Sequence, residues 1–525
     1  MPKINSKNLI PIIIISFVLI SSNIGGLYIY ALDEAKNSVC AIEMMDRGDL
    51  IVPTFNDSLR TDKPPLHYYF MQLGYFLFGV NAFAARFFSV IMGVLTILVT
   101  WWGAQRYYGD RAALYTAIAL MASLHFTLQF HMAVPDPYLV FLLTLGFITF
   151  YVNYKEDKPV YLIISYLSFG LGTLAKGPIA IALPGLAILL FLILVKKLNW
   201  NYIKNLKIYW ALAVLVLVVA PWYILVAIKT DGQWINDFFL KHNVGRYTDP
   251  MEGHGAIFLV TPFIALTGMI PFSIFIFQSI KYSWGQRKNK DLGLYALVIS
   301  LTIILFFSFS STKLPNYTVP AYPLLALLIG RYLDFLQDNF KKVKLSIKTS
   351  LWIYVFIAMA LPAGIYFWLI EDPVLMHLKN LSIYFLILPI GAWMALILIY
   401  FSQYKGMILS LALSWIVISL LFFYVIFPKI DNYNPIAQIL PVIEPGQQIV
   451  AYKFYNPAFS FYIRKHIPVL NSADELQHYL SNNHSGYVLT RKELENEIIQ
   501  LEGLTKIAEA KDIFEPPTSV VFEFK

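Results

Sequence analysis

The sequence predicts an all-α polytopic membrane protein that ends in a small polar α/β segment. Three observations predict it. Hydrophobic residues make up 58% of the chain and charged residues 14%, where a soluble domain carries roughly 25% charged; the mean hydropathy is +0.61. Apolar runs near the roughly 20 residues that cross a bilayer recur as far as residue 427. Beyond that point the composition turns polar, and short strand-like runs alternate with helix-start signals.

A window of roughly 20 residues gives about thirteen spans: 8–30, 83–105, 110–131, 135–153, 159–175, 177–195, 208–228, 257–281, 291–310, 318–335, 350–371, 381–401 and 406–427. The stretch 66–80 is shorter and reads as half-embedded. At the N-terminus Lys3 and Lys7 precede an apolar core with no small-x-small cleavage pattern, so the first run reads as a retained signal-anchor helix. With the N-terminus in the cytoplasm, the inner loops hold Arg106/Arg111, Lys155/Lys158, Lys196/Lys197/Lys204/Lys207, Lys281/Arg287/Lys288/Lys290 and Lys341/Lys342/Lys344/Lys348. The short outer loops are far poorer in Lys and Arg, as positive-inside topology requires. This sets the protein in the inner (plasma) membrane as a multi-pass protein and places residues 33–65, 229–255 and the tail outside. The expected organisation is a membrane domain over 1–427, with outer loops 31–82 and 229–256 forming the site, and an extracytoplasmic α/β domain over 428–525.

In the tail, strands are expected at 448–453, 487–489 and 519–524. Ser472-Ala473-Asp474-Glu475 and Thr490-Arg491-Lys492-Glu493 are capping boxes, each opening a helix. No internal repeat of fixed period is present. The single cysteine, Cys40, excludes an internal disulfide, and the nine histidines form no metal-ligand spacing such as His-Glu-x-x-His. No Gly-rich phosphate loop appears, which disfavours a soluble nucleotide donor. The basic loops read as topology signals and not as nucleic-acid contacts.

Ionisable residues gather on the outer face. Asp33, Glu34, Asp62 and Asp136 supply carboxylates; Lys36, Lys63, Lys176, Arg246 and Lys313 supply cations. Each has an ordinary reading when taken alone. Asp33-Glu34 is what many helix starts carry, Lys63-Pro64-Pro65 suits a helix start with an interfacial lysine, and His242 and His254 suit a loop surface. Their shared face argues for function. A carboxylate beside a bound hydroxyl acts as a general base, and cations hold a phosphate and stabilise it as a leaving group. That combination suits transfer of a group from a lipid phosphate whose tail lies in the bilayer.

At these residues the chain resembles the membrane-embedded GT-C glycosyltransferases, above all the lipid A 4-amino-4-deoxy-L-arabinose transferases and their relatives in the protein O-mannosyltransferase superfamily. The resemblance is carried by Asp33-Glu34-Ala35-Lys36, Gly48-Asp49-Leu50-Ile51-Val52-Pro53, Asp62-Lys63-Pro64-Pro65-Leu66, the run from Phe78 to Arg86, Ala175-Lys176-Gly177-Pro178, the stretch from His242 to Arg246, and Lys313-Leu314-Pro315-Asn316-Tyr317. It covers about residues 8–427. It implies a GT-C fold and an inverting transferase, a hexosyl- or pentosyltransferase, that moves a sugar from a polyprenyl-phosphate donor to a lipid A, glycan or protein acceptor. Asp33 then matches the catalytic acid, Lys63, Arg246 and Tyr317 match contacts to the lipid phosphate, and Glu34, Lys36, Asp136 and Lys313 join the substrate site. Asp62 and His242 stand where some members place a divalent metal or an acceptor contact. No organic cofactor is implied. Two departures bear on the donor: Lys36 stands for the usual Arg, losing bidentate phosphate geometry, and Asp62 stands for Glu, with a shorter reach. The alternative is a transporter or flippase of lipid-linked saccharides, which predicts repeated halves and charges at the membrane midplane; the sequence shows neither.

The topology is tested by placing a cysteine at Asn243 in a Cys40→Ala background and treating intact cells with an impermeant thiol reagent. Labelling in intact cells is expected; labelling only after the cells are broken would overturn the orientation.

Overall fold

The computed structural model describes residues 6–245, 257–288 and 291–525. The chain opens with α1 (Leu9–Ile20), then α2 (Leu32–Asp46), a two-stranded hairpin of β1 (Thr54–Phe55) and β2 (Ser58–Leu59), and α3 (Leu66–Phe78). There follow α4 (Ala82–Tyr108), α5 (Asp110–Met121), α6 (Leu124–Phe130), α7 (Asp136–Glu156), α8 (Pro159–Lys176) and α9 (Ile179–Leu194). Later spans are Trp200–Lys229, Leu292–Phe309, Pro315–Lys342, Lys344–Glu371, Met376–Tyr400 and Tyr404–Asp431. Among the described residues nine helices are long and apolar enough to cross a membrane, or up to 11 if each of two bent pairs is one span. The pairs are α5 with α6, bent by 70°, and Val260–Gly268 with Phe272–Gly285, bent by 110°.

Two of the expected spans are shorter as helices than the sequence suggests. At 1.5 Å per residue, α9 with 16 residues reaches about 24 Å and α1 with 12 residues about 18 Å, against a hydrocarbon core of about 30 Å. The apolar run from Leu9 does not stay helical to Tyr30. It stops at Ile20, and Asn23 takes a positive φ of 53°. Residues 21–31 then run as turns and extended chain.

That unwound backbone needs hydrogen-bond partners, and a single arginine supplies several. Arg86, 4% exposed in the first turns of α4, donates Nη1 to the carbonyls of Ile24 (2.8 Å) and Leu27 (2.9 Å) and Nη2 to that of Tyr28 (2.9 Å). Its Nε and Nη2 also form a forked pair with Glu34 of α2, at 2.7 and 2.8 Å. Glu34 Oε1 in turn accepts the Ala133 amide at 2.8 Å, just before α7. One guanidinium thus joins the end of the first span, α2, α4 and the approach to α7.

The two ends of the bundle separate the charges. Arg106–Glu156 (2.5 Å), Lys155–Asp291 (3.0 Å), Arg331–Asp334 (2.9 Å) and the pair Arg111–Asp334 tie helix ends together at one end. Arg106, Arg111 and Lys155 among them are residues expected on the inner side. The outer-loop residues collect at the opposite ends of the same helices: α4 starts beside Arg86 and ends at Tyr108, and α7 starts at Asp136 and ends at Glu156.

The tail forms a five-stranded sheet in the order β4-β3-β5-β7-β6, from β3 (Gln448–Tyr452), β4 (Val469–Leu470), β5 (Gly486–Arg491), β6 (Leu504–Lys511) and β7 (Thr518–Phe524). β3 pairs in parallel with β4 and β5, and β7 in antiparallel with β5 and β6. Strand alternation sends successive side chains to opposite faces. Val450, Tyr452, Val488, Val520 and Phe522 pack under the helix Ala473–Asn482, whose Leu476 joins them. Ala451, Tyr487, Leu489 and Val521 pack with Ala35, Val39, Tyr68 and Met71 of α2 and α3. Both faces are covered, so these strands read as near-continuous apolar runs.

Ser472 caps its helix as expected, accepting the Glu475 amide at 3.2 Å, while Glu475 reaches back to the Asn471 amide at 2.7 Å. A helical segment does begin within the second capping box, as a 3-10 turn over Lys492–Leu494 that runs into the short helix Glu495–Ile498, but Thr490 does not cap it: Thr490 lies inside β5, and its hydroxyl donates to the Tyr452 carbonyl at 3.0 Å. Pairing of β5 on both edges outweighs the local capping signal. β4 and β6 escape sequence reasoning: β4 is two residues long, and β6 is an edge strand whose alternation is broken by a bulge between Lys506 and Ala508.

Removing one partner of a buried ion pair leaves an uncompensated charge and costs about 3–5 kcal/mol. Glu34→Gln and Arg86→Leu are each expected to lower the melting temperature in detergent markedly. Parent-like melting of both variants would remove the pair from its structural role.

Candidate functional site

The site begins at the N-terminus of α2. Asp33 and Glu34 occupy its first turn, where carboxylates complement the helix dipole. Neighbours on a helix point about 100° apart, and the structure resolves them into different roles. Glu34 is 3% exposed and saturated by Arg86 and Ala133. Asp33 is exposed. Lys36, one turn later, is half-buried on the same side. Both Glu34 oxygens are engaged inside the protein, by Arg86 and the Ala133 amide.

The loop after α2 is a built structure. The β1–β2 hairpin turns through Asn56 and Asp57, both at positive φ (52° and 61°), the pair of left-handed residues a two-residue hairpin loop needs. Arg60 follows, 6% exposed, with Nη2 on Asn37 Oδ1 (3.2 Å) and Nη1 on Asp62 Oδ2 (3.1 Å). Asp62 is therefore oriented by Arg60. Lys63 is 9% exposed, and Pro64 and Pro65 lead into α3. One helical turn beyond Lys63 lies His67, fully buried. Burial pushes its imidazole well below the ordinary histidine range, and Lys63 and Arg60 push the same way.

A second group of charges lies at the meeting of α7, α8 and the helix that begins at Pro315. Asp136, in the first turn of α7 and 5% exposed, pairs with Lys176, the last residue of α8. Each charge suits the dipole of its own helix end. Asn316 Nδ2 donates to Asp136 Oδ1 at 3.1 Å, and its own Oδ1 is buried without a partner. Lys176 Nζ stands 5.3 Å from the Tyr317 ring centroid, and Tyr317 packs on Phe307 at 4.6 Å. Lys313 turns back to its own chain, donating to the Ser310 carbonyl at 2.6 Å.

An aromatic patch joins the two groups. Leu66, three residues after Lys63, and Leu174, two before Lys176, pack in one cluster with Trp222, Trp234 and Phe238. Trp234 Nε1 donates to the Arg60 carbonyl at 2.9 Å, and Lys229 pairs with Asp49 at 3.0 Å, so the segment 222–238 holds the opening loop in place. The structure thus brings together Asp33, Lys36, Asp62, Lys63, Asp136, Lys176 and Tyr317 at one end of the bundle. Arg246 lies outside the described residues, as does the side chain of His242. Among the described residues no three His, Cys, Asp or Glu side chains group as metal ligands do. Sequence reasoning missed Arg60, His67 and Asn316. His67 was findable at i+4 from Lys63, and Asn316 lies inside the motif already singled out; Arg60 gave no signal.

Comparisons with known proteins bear on this arrangement. Residues 62–225 match the family described as dolichyl-phosphate-mannose-protein mannosyltransferase. An uncharacterized protein of Aquifex aeolicus is 28% identical over 364 residues, 68% of this chain and 69% of that protein. An undecaprenyl phosphate-alpha-4-amino-4-deoxy-L-arabinose arabinosyl transferase of Yersinia pestis is 28% identical over 340 residues, which cover 63% of this chain and 60% of that enzyme. In fold the similarity runs end to end. The crystal structure of ArnT from Cupriavidus metallidurans, bound to undecaprenyl phosphate, superposes with a TM-score of 0.80 at 19% identity, covering 99% of this chain and 98% of that one. This chain is a multi-pass membrane protein with the fold of ArnT, and in sequence it is similar to the arabinosyl transferases.

Proposed function

We propose that this protein is an inverting glycosyltransferase that moves a sugar from a polyprenyl phosphate to a hydroxyl of a lipid, glycan or protein acceptor at the outer face of the membrane. The observation that carries it is the division of labour in α2: Glu34 is locked by Arg86, and Asp33, one residue earlier, is exposed at the same bundle end as Lys36, Lys63 and Lys176. ArnT was solved with undecaprenyl phosphate bound in this fold, and the arabinosyl transferases are named for an undecaprenyl-phosphate sugar donor.

In the proposed reaction Asp33 takes the proton of the acceptor hydroxyl. The freed oxygen forms a bond to the anomeric carbon from the face opposite the phosphate. The bond from that carbon to the phosphate oxygen breaks, and polyprenyl phosphate leaves with the electron pair. Lys63 and Arg246 neutralise the departing charge, and Tyr317, with Lys176 beside its ring, borders the donor. The Asp136–Lys176 pair and Asn316 fix the opposite wall. The sugar is a hexose or pentose derivative, and lipid A is one candidate acceptor.

Asp33→Asn conserves size but cannot accept a proton, so single-turnover transfer at saturating donor should fall roughly 10²–10⁴-fold while donor binding persists. Parent-like transfer by Asp33→Asn would remove the base from this position. Lys63→Ala should weaken turnover at limiting donor, since a hydrogen bond to a charged group is worth about 1.5–3 kcal/mol. Normal turnover at limiting donor would show that Lys63 does not hold the phosphate.

A further inference from the structure

Away from the charges of the transfer site, the tail meets the membrane part at a cavity of about 440 Å³. One wall is the turn after the first span, from Gly25 to Tyr28. A second is the α3–α4 junction at Val80 and Asn81. The third comes from the tail: Asn432, Tyr462 and Arg464. Arg464 is exposed, at the C-cap of the helix Ala458–Ile463, and takes φ +54°. Gly or Asn ordinarily fills such a left-handed cap, and a long side chain there carries a backbone cost. The conformation directs the guanidinium across the junction, where Nη2 donates to the Val80 carbonyl. Among the described residues it has no carboxylate partner. Lys465 and His466 follow, both exposed; the carboxylate facing this loop is Asp57, 4.0 Å from His466.

Directly below lies an exposed aromatic surface. Phe76 is 81% exposed, Phe78 42% and Phe83 37%. Phe78 contacts Phe83 and Phe87 with ring centroids at 5.3 and 4.9 Å. These rings flank the start of α4, a helix long and apolar enough to cross a membrane, and aromatic residues gather where such spans meet lipid headgroups. A tethered cation therefore stands at the rim of a half-polar cavity, over rings suited to acyl chains.

We propose that this junction binds the phosphate of an anionic membrane lipid, with Arg464 and Lys465 on the headgroup and the Phe76–Phe78–Phe83 surface against the acyl chains. The bound lipid fastens the tail to the bilayer surface and keeps the Tyr28–Tyr30 segment, which leads into Asp33, under the sheet. The proposal does not depend on the transfer reaction.

The test uses the full-length protein in mixed micelles containing phosphatidylglycerol or phosphatidylcholine, with retained lipid counted by native mass spectrometry. The parent is expected to retain phosphatidylglycerol preferentially. Arg464→Gln should weaken that retention about tenfold, the loss of one charge-assisted contact. Lys465→Glu, which leaves the Val80 tether intact, should weaken it as well, with melting temperature and sugar transfer unchanged. Equal retention of the two lipids by the parent, or parent-like retention by both variants, overturns the proposal. Displacement of the lipid by inorganic phosphate alone would also overturn it, by reassigning the cavity to a free anion.

Discussion

The arrangement depends on the forked pair between Arg86 and Glu34. All five guanidinium N–H groups are used, two on the carboxylate and three on carbonyls of the unwound chain after the first span. A buried arginine is costly unless every donor is met, so the geometry leaves little freedom. The first helix has to end early enough to offer Ile24, Leu27 and Tyr28. Helix α2 has to present Glu34 inward, and helical periodicity then turns Asp33 outward. The exposed carboxylate of the proposed reaction is positioned by a neighbour that takes no part in it.

The tail serves the same segment from above. Its sheet shares an apolar core with α2 and α3. Tyr462 OH receives the Ile29 amide at 2.8 Å, and Asp431 receives that of Tyr28 at 2.7 Å. Asn56 and Ile467 exchange two hydrogen bonds, at 2.8 and 2.9 Å, between the opening hairpin and the tail. Tyr30 stacks on Phe514 at 5.7 Å. Residues 428–525 therefore share packing and hydrogen bonds with the opening loop, and the two stretches most distant in sequence form one wall around the approach to Asp33.

The charged groups of the site divide in the same way between anchors and surfaces. Arg60 orients Asp62, and Lys176 and Asn316 hold Asp136. The aromatic cluster of Trp222, Trp234 and Phe238 ties the opening loop to the end of α8.

The sequence by itself determined the membrane class, the positions of most spans, the gathering of charge at one end and the motifs of the GT-C resemblance. Those features are local: apolar length, Lys and Arg placement, and short residue strings carry them without reference to partners. It also located three of the tail strands, because residues buried on both sheet faces leave continuous apolar runs. The family resemblance already singled out Asp33 over Glu34; only tertiary structure showed what holds Glu34, since it is Arg86, 52 residues away, that claims its carboxylate. The same holds for the early end of α1, which hydropathy extends to Tyr30 but which Arg86 makes tolerable as open backbone. It holds for Thr490, whose capping signal yields to pairing of its strand on both edges. Each of these outcomes was decided by a hydrogen-bond partner distant in sequence, and neither composition nor periodicity encodes which distant group will arrive.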